Sequence, residues 1–352
     1  MSPEPSVVSA KRWVVVLAGG VGSRFWPLST PALPKQLLPL LSSRSMLRET
    51  ADRLAPLAPA EHVLVLTNAS LAGAVREAMP EIPAANVIAE PRPAGTAAAL
   101  TWAAHEIARR AGPDAVMLSV HADWAIGDVP RFRAILADAA DACSRERALV
   151  TVGVVPRFAD PGLGYIEPGD VVRADLRRVA RFIEKPDRAR AEELVAAGCL
   201  WNSGIFAWRA GDLLDEVRAH CPEVSRALDA YGDDRDAFFE AVQPIAIDVG
   251  VLERSDRVLV LPGEFGWSDV GTWAALLGVR DTDEQGNVPS GPVFLRDANR
   301  DVVHADGSTV VLYGVDDLVV VAARGLTLVT TAERSAHLKL LLDALPPEVR
   351  ER

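Results

Sequence analysis

The sequence predicts an α/β protein: a mostly parallel sheet flanked by helices, with a small β module at the C-terminal end. Three observations point there. Short apolar runs alternate with helical stretches over the first two-thirds of the 352 residues. A glycine-rich loop directly follows the first apolar run. Beyond Gly286 the helical period disappears and short apolar runs broken by Gly, Asp and Asn take over, up to Thr331.

Trp13–Leu17 is continuously apolar, too short for a helix and stopped by glycines, so it reads as a buried strand. Further strands are expected at Val63–Thr67, Val87–Ala89, Ala115–Val120, Ala148–Val155, Val179–Glu184, Gly204–Trp208 and Arg257–Leu261. Helical periodicity fills the gaps at Met46–Leu54, Leu71–Met79, Gly95–Ala111, Pro130–Arg145, Ala189–Ala197 and Gly211–His220. Strand–helix alternation implies βαβ units, in which ligands bind beyond the carboxyl ends of the strands. A last helix is expected at Glu333–Leu345. The division is therefore a disordered 1–10, an α/β domain over 11–283 and a β-rich 284–352. Sequence alone leaves a β-helix, a sandwich and a barrel open for the last part.

A net charge of −11 argues against nucleic-acid or anionic-membrane partners, so any phosphate must be held by a local cluster. Cys143, Cys199 and Cys221 match no zinc or disulfide spacing and read as free, buried thiols in a reducing compartment. The opening MSPEPSVVSA has no apolar h-region, and no run approaches the roughly eighteen apolar residues of a membrane span. A soluble, cytoplasmic protein is expected.

The chemistry begins in VVVLAGGVGSRFWPLSTPALPKQLLPL, Val14–Leu40. Gly19, Gly20 and Gly22 allow the backbone to approach an anion, Arg24 offers a planar cation and Lys35 a mobile one. The spacing is neither a P-loop nor a dinucleotide fingerprint. With Leu17, Ala18 and Ser23 it reads as a triphosphate site. Asp123, just past the strand Ala115–Val120, is placed to hold Mg²⁺, which prefers oxygen ligands; a turn or cap aspartate is the plain alternative.

The loop resembles the signature of the sugar-nucleotide pyrophosphorylases, in detail that of the bacterial mannose-1-phosphate guanylyltransferases (LAGG-x-G-x-R-x-WPLS…PKQ). FIEKP, WNSGIF, IAIDVGVLE and GWSDVGTW follow in family order. The resemblance implies a Rossmann-like fold of the nucleotide-diphospho-sugar transferase type with a short left-handed β-helix, and a reaction between GTP and mannose 1-phosphate. It implies a second Mg²⁺ ligand at Asp269, where Ser268 or Asp269 could instead cap a helix at Thr272–Gly278. Lys185 would neutralise the sugar phosphate, with Glu184, Asn202 and Gly164 at the sugar and Gly162 nearby. Glu90, Gly95 and Thr96 match the base-side loop, with Thr96 placed to cap the helix behind it; Asp248 reads as structural.

Two segments depart from the family. Relatives carry Arg-Asn-Thr-Ala-Pro where this chain has Ala94–Ala98, and Pro-Ala-Asp-His where it has His-Ala-Asp-Trp at 121–124, with His121 a conceivable stand-in. A pyrophosphorylase for another sugar or base therefore stays open. So does a silent sugar-nucleotide sensor, against which Arg24, Lys35 and both aspartates count. A glycosyltransferase lacks support, because His121-Ala122-Asp123 is not Asp-x-Asp. The β edges of the small module allow a homodimer.

Overall fold

The computed structural model describes residues 12–20 and 22–350. The N-terminal segment 1–10, expected to be disordered, lies outside the described residues. The chain packs as two compact units. One takes residues 12–19, Ala51–Ala122 and Asp128–Phe265; the other takes Gly20–Thr50, Asp123–Gly127 and residues 266–350. The second thus contains the expected β-rich module together with the glycine loop from Gly20 onward and one short segment from the middle of the chain.

The first unit is built on nine strands: β1 Arg12–Leu17, β2 Val63–Asn68, β3 Val87–Glu90, β4 Val116–His121, β5 Leu149–Val154, β6 Tyr165–Arg173, β7 Leu176–Ile183, β8 Leu200–Arg209 and β9 Val258–Gly263. Their order is β3-β2-β1-β4-β8-β5-β9-β7-β6. β3, β2, β1 and β4 run parallel, as do β5 and β9. β8 is inserted antiparallel between β4 and β5. Val14, Val15 and Val16 of β1 are wholly buried, as expected of a strand covered on both faces. Helix Gly95–Ala111 sets its alanines on the sheet and ends at Gly112, whose φ of 88° suits glycine alone. Helix Val129–Glu146 begins on Asp128, which accepts from the Arg131 amide, with Pro130 in the first turn.

Three expectations are corrected. Trp201–Ser203 lie inside β8, not before it: the strand starts at Leu200, and its pairing with β5 shifts register between Val152 and Gly153. β6 was not expected, because most of it is partly or fully exposed and lacks an apolar signal. Helices Pro222–Tyr231 and Arg235–Ala241 were also not expected, although Pro222 in the first turn and an Asp234 cap mark their starts.

In the second unit Val288–Ser290, Val302–Ala305 and Leu318–Ala323 pair in parallel, and Leu326–Thr331 closes the sheet antiparallel. Val293–Asn299 and Val310–Asp316 form a second parallel pair. Left-handed residues recur at successive corners, Gly286, Arg300 and Asp317, then Gly291, Gly307 and Arg324. Buried Asn287 accepts from the Asp301 amide, and Asp301 accepts from the Leu318 amide, so polar side chains stitch one coil to the next. Parallel coils stacked in this way make a short β-helix rather than a sandwich or barrel. Its inner face (Val302, Val319, Val321) shares one core with Phe25, Trp26 and Trp273. The final helix is broken into Arg334–His337, Leu338–Ala344 and Pro347–Arg350, the last two separated by Pro346. Among the described residues no helix is long and apolar enough to cross a membrane.

Candidate functional site

The residues singled out by sequence fall into two clusters, one in each unit. The first cluster belongs to the second unit. Trp267–Ser268 pairs antiparallel with Ala125–Ile126, Ser268 opposite Ala125. That ribbon brings Asp123 and Asp269 to the same end. Ser268 Oγ accepts from the Val270 amide (3.1 Å) and Asp269 Oδ1 from the Gly271 amide (3.2 Å). Neither caps the following helix: Thr272 does, accepting from the Ala275 amide, which corrects the capping alternative. Between them Val270 is buried at a φ of 47°, a costly conformation for a β-branched residue. Such strain persists where surrounding packing over-determines it, and it is concentrated at working sites.

Lys35 is only 4% exposed. Its Nζ donates to Asp123 O (2.7 Å), Asp123 Oδ2 (2.9 Å) and Asp269 O (2.6 Å). Arg24 is exposed and makes one long hydrogen bond, Nη1 to Gly271 O at 3.4 Å. Two carboxylates beside two cations match the way Mg²⁺ is held, by one or two acidic side chains with substrate phosphates completing the shell. Among the described residues no group of three or more acidic, His or Cys side chains is placed to hold a metal ion.

The three glycines divide by purpose. A side chain at Gly22 (φ 66°) would strike the Lys35 stem, its Cβ 2.2 Å from Lys35 Cβ. Nothing lies within 4 Å of where a Cβ would sit at Gly19 or Gly20. No protein contact demands glycine at either position. Ser23 beside them is exposed. Leu17 and Ala18 are buried and already committed within the protein. Leu17 O accepts from the Ala122 amide, and the Ala18 amide donates to Leu66 O.

The second cluster belongs to the first unit. Asn202 Nδ2 donates to Asp248 Oδ1 at 2.7 Å, and Asn202 Oδ1 accepts from the Gly204 amide at 3.2 Å. Burial pushes the Asp248 carboxyl above its ordinary range. A Cβ at Gly164 would stand 2.7 Å from Glu184 Oε2, and the Asn202 amide donates to Gly164 O. Gly162 closes a turn on Asp160 Oδ1. Glu184 pairs with Lys185, both more than half exposed, and Lys185 holds a left-handed φ of 43°.

Glu90, at the end of β3, is 8% exposed, and burial pushes its carboxyl up to about 7. Gly95 and Thr96 work inside the protein. A Cβ at Gly95 would collide with Ile245 O, and Thr96 Oγ1 accepts from the Ile247 amide. Thr96 therefore secures the segment leading to Asp248, correcting its expected role as a cap; the helix starts after Ala94 with no side-chain cap. Trp124 is buried and edge-on to Trp267, with ring centroids 6.0 Å apart. The departure from the family at 124 thus serves core packing. His121 ends β4 in the first unit. All three cysteines are free and buried, as expected.

The profile of the nucleotidyl transferase family matches residues 13–286. The chain is 36% identical over 353 residues to a mannose-1-phosphate guanylyltransferase of Klebsiella pneumoniae, and equally so to one of Escherichia coli. Each match covers 96% of this chain and 74% of the relative. The crystal structure described as mannose-1-phosphate geranyltransferase from Thermus thermophilus superposes with a TM-score of 0.89 at 31% identity, covering 95% of this chain and 99% of that one.

Proposed function

We propose that this chain, which belongs to the nucleotidyl transferase family, transfers a guanylyl group from GTP to mannose 1-phosphate, giving GDP-mannose and pyrophosphate. The single observation that carries this reading is the cluster of Arg24, Lys35, Asp123 and Asp269, a carboxylate pair with adjacent cations at the end of a glycine loop. It is a design for phosphates, not for acyl or hydride chemistry.

A phosphate oxygen of the sugar phosphate attacks the α-phosphorus of GTP, the α–β bridging bond breaks and pyrophosphate leaves. A sugar phosphate is largely dianionic at neutral pH, because the second pKa of a phosphomonoester is about 6. No general base is needed, so catalysis is positioning and charge neutralisation. Gly19 and Gly20 let the backbone approach the triphosphate, and Arg24 meets the charge that grows on the leaving group. Asp123 and Asp269 would hold Mg²⁺, which when bound offsets phosphate charge as a Lewis acid. Lys185 neutralises the attacking phosphate, while Glu184 and Asn202 take sugar hydroxyls.

Glu90 supports guanine as the base. In its ionised form this buried carboxyl would accept from the adjacent N1–H and N2–H donors of guanine, and uracil has no such donor pair. The relatives' names support the choice of mannose 1-phosphate.

The test is pyrophosphate release over a grid of GTP, ATP, UTP and dTTP against mannose, glucose and fucose 1-phosphates. GTP with mannose 1-phosphate is expected to exceed every other pair. A different winning pair overturns the substrate assignment and keeps the chemistry. Release with no pair, but tight binding of a sugar nucleotide, overturns the chemistry.

A further inference from the structure

We propose that Val270 is a positioning residue: its buried isopropyl group holds the backbone in the left-handed conformation that aims the Asp269 carboxylate, and Gly271 leaves the space that this carboxylate takes up. This rests on the assignment of Asp269 to Mg²⁺ made above. A φ of 47° crowds the branched Cβ of valine against its own backbone, whereas glycine adopts such a φ with almost no penalty. Valine is held there by its surroundings. Its side chain is wholly buried, in one core with Phe25, Trp26, Trp273 and Leu276. Burial of the isopropyl group offsets the strain, and it does so only while the backbone keeps this turn.

The segment is anchored at three points. Trp267, Val270 and Trp273 are each at most 3% exposed, and Asp269 lies between the first two. Trp273 Nε1 donates to Trp26 O at 3.2 Å, which ties the far end to the same core. The chain therefore enters the core on either side of a partly exposed aspartate. The Val270 amide donates to Ser268 Oγ, so the turned peptide keeps a hydrogen bond. Beyond it the Asp269 carboxylate folds over Gly271. Oδ1 accepts from the Gly271 amide, and a Cβ at Gly271 would stand 2.6 Å from Oδ2 and 3.3 Å from Arg24 Nη1. A glycine at position 270 would have no anchor and would sample both signs of φ, leaving the carboxylate without a fixed bearing. Groups that orient a metal ligand without touching the metal typically contribute roughly 10–100-fold to metal affinity.

Val270→Gly removes the anchor and the strain together. Mn²⁺ serves as the probe, read with GTP present by the water-proton relaxation enhancement of the protein-bound ion. Its affinity is expected to fall roughly 10–100-fold, with kcat recovering in part as metal is raised. Val321→Ala, a truncation in the same core within the β-helix, is the control. Its thermal midpoint should drop while Mn²⁺ affinity stays within about twofold. Wild-type Mn²⁺ affinity in Val270→Gly would overturn the proposal, and so would an equal loss of affinity in Val321→Ala.

If Val270→Gly does not fold, Val270→Ala takes its place, with the same direction expected. Gly271→Ala presses on Oδ2 directly and should also weaken Mn²⁺ binding; unchanged affinity there would overturn the part given to Gly271. Asp269→Asn in the same titration separates the positioning role from the metal assignment. Loss of Mn²⁺ in Asp269→Asn without loss in Val270→Gly overturns the positioning role alone. Undiminished Mn²⁺ affinity in Asp269→Asn overturns the metal assignment and the positioning role with it.

Discussion

The two clusters differ in how much of their geometry exists before any ligand arrives. Around Asp123 and Asp269 the protein fixes almost everything: a buried ammonium with three acceptors, two side-chain-to-backbone turns and a strained Val270. Around Glu184 and Lys185 it fixes the floor and leaves the charged groups exposed. The Asn202 amide is pinned by Asp248, while the Lys185 and Glu184 side chains are 63% and 53% exposed and paired with each other. Where charge must be neutralised during bond exchange, reorganisation would cost rate, and pre-arranged groups avoid that cost. Where, on the proposed reading, a sugar phosphate enters and leaves, exposed groups can adjust. On the proposed reading, rigidity goes with the chemistry and exposure with the binding.

The sharpest way to break this comparison is Asp123→Asn. It keeps the shape of the side chain and removes the charge from the rigid cluster. A loss of about 10²–10³ in kcat is expected, with the thermal midpoint nearly unchanged. Turnover like that of the wild type in a folded protein would remove Asp123 from the mechanism.

Glu90→Gln sharpens the comparison from the side of stability. The folded carboxyl titrates near 7 against an ordinary 4.5, so between these values the folded state holds a proton that the unfolded state has lost. Wild-type stability relative to a neutral isostere is therefore complete below about pH 4.5 and lost as pH rises through 7. Urea unfolding should find Glu90→Gln more stable at pH 8, by up to about 3 kcal/mol, and no different at pH 4.5. The same substitution should weaken GTP binding. A gain in stability at the expense of binding is what a buried charge kept for function predicts. Equal stability at pH 8 would show the carboxyl to be well solvated.

Lys185→Met probes the adjustable cluster. A rise of roughly tenfold in KM for the sugar phosphate is expected, modest because the group is exposed, with Mn²⁺ affinity unchanged. A matching loss of metal affinity would mean that the two clusters do not divide the work. The smallest effect is expected from the thiols. Burial pushes Cys143 up to about 12 and Cys221 up to about 11, so neither should react with a disulfide reagent at pH 7.5 in the folded protein. Fast labelling of either would reveal opening of that core.

Much of this was legible from residues alone. β1 and helix Gly95–Ala111 declare themselves by an unbroken apolar run and by an alanine-rich period that stops at a glycine. The glycine loop, Arg24 and the two aspartates are legible as candidates in the same way, and Arg24, Asp123 and Asp269 fall in one unit. What the sequence hid depends on contacts distant along the chain. Nothing local tells that Gly22 makes way for Lys35 while Gly19 and Gly20 do not. Nothing in Gly95-Thr96 announces that both meet the segment at Ile245–Ile247. Nothing near Lys35 tells that its ammonium meets Asp123 and the Asp269 carbonyl, 88 and 234 residues away in sequence. The C-terminal coils were recognisable as β, and only their parallel pairing separates a β-helix from a sandwich.

The central claim is attack on the α-phosphorus of GTP, and isotopic labelling tests it most directly. With mannose 1-phosphate, Mg²⁺ and GTP labelled at the α-phosphorus, the label is predicted to appear in GDP-mannose; with GTP labelled at the γ-phosphorus, it is predicted to appear in pyrophosphate. Transfer of the γ-label to the sugar phosphate, or retention of the α-label in unconverted GTP, would contradict the account.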